Sequence, residues 1–193
     1  MITNFLRPPR TLGEWAADGI RVLGLVSVVV AAIGWQVTDA GVLAFALPAL
    51  CVPRFLGMRP SADIVTGVVV LVAAWSNVID LYTTVPGWDL LLHFAGTGVL
   101  TVCAMLALAR FGALPAPRSA DATAAGTVVV AVAVGLALSA VWEMVEWAGW
   151  LFISDEIFVG YQDTIGDMAI GGVGAAVAGL VLTRVRVLRA DAA

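Results

Sequence analysis

The sequence predicts an all-α fold: a polytopic membrane protein of six transmembrane helices, with both termini on the cytoplasmic side. Three observations carry this. Of 193 residues, 61% are hydrophobic and only 12% charged, more apolar surface than a soluble domain of this length can hide. The apolar residues fall in six runs, each suited to crossing about 30 Å of hydrocarbon at about 1.5 Å per residue, with the second run the shortest. Finally, all ten basic residues are arginines, and six spans place every one of them on the same side.

Residues 1–10 hold Arg7, Pro8, Pro9 and Arg10 and read as irregular. Thr11 and Glu14 have the spacing of a capping box, so a helix is expected to start near Leu12. About twenty mixed polar residues precede the first apolar run, too long an n-region for a cleavable signal peptide. The first span is expected over 20–35 and the second over 40–55, the latter holding Pro48 and predicting a kink with Pro53. The third is expected over 64–81, ending in Asn77 and Asp80, with Pro86-Gly87 making the next turn. The fourth runs over 88–109, the fifth over 123–152 and the sixth over 163–187. The whole is read as one integral membrane domain. Residues 1–19 form a cytoplasmic segment, 20–60 carry the first two spans, and 61–187 form a four-helix core that bears the site.

Arginines 7, 10 and 21 lie at the first span, 54 and 59 between the second and third, 110 and 118 between the fourth and fifth, and 184, 186 and 189 after the sixth. The positive-inside rule makes that face cytoplasmic. The opposite face receives Asp39, Asp80, Asp89, Glu143, Glu146, Asp155, Glu156, Asp163 and Asp167, with His93 as its one potential cation. Trp35, Trp88, Trp147 and Trp150 fall at the same level, as an interfacial aromatic belt does. Asp155 and Glu156 read as solvated loop acids.

The remaining acids are paired by helical spacing. Asp89 and His93 are four apart, Glu143 and Glu146 three apart, Asp163 and Asp167 four apart, so each pair shares a helix face. Asn77 and Asp80 offer a further pair. Ionisable groups within membrane spans signal a functional site by default. With no arginine or lysine on this side, the acids call for bound metal, shared protons or water. The expectation is a divalent metal ion held by Asp89, His93, Glu143, Glu146, Asp163 and Asp167, with Glu143 or Glu146 also serving as a catalytic base. An oxygen-rich set with one imidazole suits manganese, iron, magnesium, calcium or zinc alike. The bland readings are that Asp89 and Asp163 sit where helix dipoles favour acids and that His93 is a hydrogen-bonded structural residue. Gly171, Ala175 and Gly179, with Gly96 and Gly98, read as small-residue faces that bring the ligand-bearing helices close.

Asp89-x3-His93-x-Ala95-x2-Gly98-Val99 aligns with Asp163-x3-Asp167-x-Ala169-x2-Gly172-Val173, which suggests that spans three–four and five–six are parallel repeats. Cys51 and Cys103 fall in apolar runs, without disulfide or thiolate-metal spacing. No basic run with interleaved aromatics points to nucleic acid. There is no phosphate-binding glycine loop, nucleophile elbow or HExxH.

Asp89-x3-His93-Phe94, then Trp142-Glu143-x2-Glu146-Trp147, then Asp163-Thr164-x2-Asp167 before glycines, resembles the YjdF-like family over roughly residues 60–185. A looser likeness runs to VanZ-like membrane proteins, which tend to carry amides where Glu146 and Asp167 stand. The first resemblance implies a multi-pass protein of the bacterial inner membrane and the importance of the six site residues, and it brings no known activity. Three functions fit: a metal-dependent enzyme on a lipid or envelope substrate, a cation- or proton-coupled transporter, and an accessory subunit of a larger membrane complex. Membrane lipids are the expected surroundings, with a homo-oligomer or larger complex left open.

Overall fold

The structure is a computed structural model and describes residues 1–154, 157 and 159–192. The acids Asp155 and Glu156 thus lie outside the described residues. A short α1 (Ile2–Leu6) is followed by α2 (Leu12–Gly34), α3 (Val37–Leu56) and α4 (Pro60–Val78). A single turn, α5 (Leu81–Thr84), leads to α6 (Trp88–Arg110), α7 (Ala124–Phe152) and α8 (Tyr161–Arg184). Helices α2, α3, α4, α6, α7 and α8 are long and apolar enough to cross a membrane, matching the six expected spans. Helix is what such runs must form, because hydrocarbon offers no partner to an unpaired peptide group. Among the described residues there is no strand beyond one isolated bridge between Met58 and Leu188.

The start of α2 falls at Leu12, as the Thr11–Glu14 pattern predicts, but the cap is only half made. Thr11 Oγ1 accepts from Glu14 N at 3.3 Å. The Glu14 carboxylate instead accepts from Arg10 N at 2.6 Å and pairs with Arg7. The reciprocal box forms at α3, between Gln36 and Asp39. Helix α3 stays helical through Pro48 and Pro53 and stops at Gly57, whose φ of 75° suits a residue without Cβ.

One expectation fails at α4. The helix ends at Val78, and Asp80 takes a φ of 57° to head α5. Asn77 and Asp80 therefore do not share a helix face. An aspartate tolerates this left-handed conformation better than most residues. Its carbonyl accepts from Thr84 N at 3.1 Å and from the Thr84 hydroxyl at 2.6 Å.

The chain forms two compact units, residues 1–86 with 186–193, and residues 87–185. In the first, α2, α3 and α4 pack together around Ala31, Ala40, Leu43, Ala74 and Val78. Its arginine-bearing end is locked by buried charge. Arg21 reaches Asp63 at 2.5 Å, Asp18 at 2.9 Å and the Leu50 carbonyl at 3.0 Å. Arg54, 5% exposed, donates to the Arg7 carbonyl and lies 3.5 Å from Asp18. The C-terminal stretch adds to this end through Arg59 N to the Val187 carbonyl and Arg189 N to the Gly57 carbonyl.

In the second unit, α8 packs along both α6 and α7. Glycines permit the approach. A Cβ on Gly174 would collide with the Phe94 backbone, and one on Gly98 would stand 3.3 Å from the Gly174 carbonyl oxygen. Gly135 faces Ala175, and Gly179 faces Val128 and Ala131. The expected stripe Gly171, Ala175 and Gly179 is buried against these neighbours. Gly96 does not share the work expected of it: nothing stands within 4 Å of its Cβ position, since it points to another face than Gly98.

Two outcomes follow for thermal melting of the purified protein. Gly174→Ala is expected to destabilise by about 1–3 kcal/mol, the usual cost of forcing packed backbone apart, whereas Gly96→Ala is neutral or stabilising because alanine is the better helix former. Arg21→Leu leaves the buried Asp63 without its closest cation, and a loss of about 3–5 kcal/mol is expected. Adding Asp63→Leu should recover much of that loss.

Candidate functional site

The paired acids come together at one end of the second unit. Gly87 and Gly160 precede α6 and α8, and Asp89 and Asp163 fall in the first turns of these helices. The next turn of each brings His93 and Asp167 inward, where they are 9% and 2% exposed. Near the other end of α7, Glu143 is also 9% exposed, and Glu146 one turn on is half-buried. The three helices run antiparallel by connection, so the start of α6, the end of α7 and the start of α8 meet at one level.

The imidazole of His93 is the hub. Its Nε2 lies 3.4 Å from Asp89 Oδ1 and 3.9 Å from Asp167 Oδ2. Its Nδ1 lies 3.8 Å from Glu143 Oε1. Asp89, His93 and Asp167 form one group able to hold an ion and His93, Glu143 and Glu146 a second, with ligand atoms within 4.8 Å of one another. Glu143 Oε1 is buried with no hydrogen-bond partner. Glu146 Oε1 accepts from Trp142 Nε1 at 2.8 Å, a bond between neighbours one turn apart on α7.

Five of the six residues expected to form the site are thus gathered around one ring. Asp163 is half-buried one turn from Asp167 and belongs to neither of these two groups. Asn77 and Asp80 lie in the first unit. Trp147 and Trp150 are exposed on α7, 50% and 44%, as residues of an interfacial belt are. Three buried hydroxyls stand next to the cluster: Thr97 and Ser139, which the sequence offers as nearby hydroxyls without a motif around them, and Thr101, which it does not single out. The signal for Thr101 is its spacing, eight residues after His93 on the same helix face.

Chemically, the arrangement faces carboxylate oxygens toward both nitrogens of one imidazole. A neutral imidazole carries one N–H, so its second nitrogen presents a lone pair to a carboxylate. That juxtaposition needs a proton or a cation between the two groups. The separations suit an ion: ligands about 2.1 Å from a tetrahedral metal stand about 3.4 Å from each other. A direct hydrogen bond between Nδ1 and Glu143 would be much shorter than the observed distance.

Six apolar helices with a polar cluster near one end define a polytopic membrane protein. A model of the family described as predicted membrane protein (DUF2238) matches residues 17–187, and the chain belongs to that family. The YjdF-like resemblance of the motifs agrees with it. No curated protein and no solved structure matches the chain.

With no ion added, the crowded carboxylates repel one another. Two charges about 5 Å apart oppose each other by about 3 kcal/mol at an effective dielectric constant of about 20. Glu146→Gln, which keeps an acceptor for Trp142, is therefore expected to raise the melting temperature in alkaline, chelator-containing buffer. An unchanged or lowered value would mean that the acids do not burden the apo protein.

Proposed function

We propose that the cluster binds one divalent cation and serves a metal-dependent enzyme acting on a lipid or envelope substrate. The observation that carries this is the environment of His93 Nδ1, which faces the buried, unpartnered Glu143 Oε1 across an ion-sized separation of 3.8 Å. In this reading His93, Glu143 and Glu146 hold the ion. Asp89, 3.4 Å from Nε2, accepts the other ring N–H and so fixes the tautomer and the ring plane, as carboxylates behind metal-bound histidines do, while Asp167 at 3.9 Å adds negative charge beside the ring. Such a cation polarises a phosphoryl or acyl oxygen or activates water. The chain's own contribution is to orient the ring, supply a glutamate within reach as a base, and leave Asp163 and Asp89 at the mouth to bind polar groups of the substrate.

A transporter needs a polar path across both halves of the membrane. The facing stripes toward the other end of this unit are Ala131 on α7 with Ala175, Ala178, Gly179 and Leu182 on α8, all buried and none ionisable. This weighs against transport through the unit and in favour of chemistry confined to one end. An outer placement of that end, at the surface of a bacterial inner membrane, follows the arginine distribution.

Elemental mass spectrometry of the protein purified without chelators tests the proposal. The expected result is one equivalent of a divalent metal in the wild type, lost in Glu143→Gln and in His93→Ala, and reduced about 10- to 100-fold in affinity in Asp89→Asn. Metal absent from the wild type, with no thermal stabilisation by added manganese, iron, magnesium, calcium or zinc, would overturn it. Metal bound without turnover of any envelope lipid would leave the site and remove the enzyme.

A further inference from the structure

Inward from the cluster, the three helices of the second unit face each other through hydroxyls and small residues. Thr97 and Thr101 follow His93 on α6 at four-residue steps, Ser139 and Gly135 precede Glu143 on α7, and Gly171 and Ala175 follow Asp167 on α8. All six are buried. The position a Cβ would take on Gly171 is 2.9 Å from Thr97 Oγ1 and 3.0 Å from Ser139 Oγ, so these two hydroxyls meet over one glycine. The corresponding position on Gly135 is 2.8 Å from Thr101 Oγ1.

The hydroxyls of Thr101 and Ser139 are bonded unlike those of Thr66, Ser76, Thr127 and Thr183. Thr66, Ser76 and Thr127 donate back to the carbonyl four residues earlier, and Thr183 to the one three earlier. This is the ordinary way for a helix to satisfy a hydroxyl away from water. Thr101, 0% exposed, and Ser139, 2% exposed, have no partner for their hydroxyl oxygens, and neither has Glu143 Oε1. A buried polar atom without a partner is costly, and the two hydroxyls together point to an occupant that is small, polar and able to donate and accept. Internal water has these properties and typically makes two to four such bonds.

We infer that Thr97, Thr101 and Ser139 hold a file of internal water that runs inward from Glu143 and ends at Thr101. From His93 to Thr101 the file would extend about 12 Å along the helix axis. One turn further, Met105 on α6 and Ala131 on α7 are buried and apolar, which makes the file blind. It would therefore keep the cluster hydrated from beneath without joining the two faces of the membrane. The inference does not depend on the cation proposal, because the hydroxyls need a partner whether the cluster holds metal or protons.

The test is a structure of the full chain in a lipid nanodisc at a resolution that shows solvent, together with melting of hydroxyl-deletion variants. Density within hydrogen-bond distance of Thr101 Oγ1 and Ser139 Oγ is the expected result. A dry interface, with these hydroxyls turned onto the Thr97 and Gly135 carbonyls, would overturn the inference. Thr101→Val preserves shape and removes the hydroxyl. With water present it strips a bond from a buried molecule, and the melting temperature should fall further than in Thr127→Val, which loses only a bond within its own helix. A melting temperature that is unchanged or higher in Thr101→Val would count against the water file. Neither readout involves metal content, so failure here is distinguishable from failure of the metal proposal.

Discussion

The second unit depends on the close approach of α8 to α6 and α7. Where Gly174 meets the Phe94 backbone there is no room for a side chain, and the same approach sets Asp167 beside His93 and Gly171 between two hydroxyls. In a membrane the apolar effect does not drive helices together, since lipid is as apolar as leucine. Contact of backbone with backbone and polar bonds between helices must do so. The small residues of α8 thus provide both the adhesion of the unit and the spacing of its polar groups.

The two units solve the problem of charge in different ways. In the first, each buried acid at the arginine-bearing end has a cation of its own: Glu14 has Arg7, and Asp63 has Arg21. In the second, four carboxylates surround one imidazole, and no arginine pairs with them among the described residues. Paired charge of the first kind is sufficient in itself and reads as scaffold. Unbalanced charge of the second kind is costly to a folded protein unless something else binds there, which is why the functional reading rests on α6, α7 and α8.

The sequence made the architecture legible because its signals are strong and local. Six apolar runs can form only helices in hydrocarbon, and acids three or four apart must share a face. Antiparallel connections put Asp89, Glu143 and Asp167 at the level of His93 once six spans were accepted; that they face its ring needs the packing of α8. What stayed hidden depends on contacts between distant residues. Nothing near Glu14 says that it will turn from its own helix end to Arg7, and nothing near Arg54 says that it will reach the carbonyls of the N-terminal segment. The break at Asp80 was hidden because Ile79, Leu81 and Tyr82 continue the apolar run. The hydroxyls of Thr101 and Ser139 look like any others until the glycines opposite them are known.

The position of α8 also has a consequence for biosynthesis. It leaves the ribosome after α6 and α7, yet both of them pack on it and the cluster lacks Asp167 without it. Until Tyr161 and the residues after it are inserted, His93, Glu143 and the neighbouring Asp89 and Glu146 have no partner from α8. Assembly of the site therefore waits for α8, and a chain halted before that helix would expose a half-built polar face to lipid, the kind of surface that membrane quality control recognises.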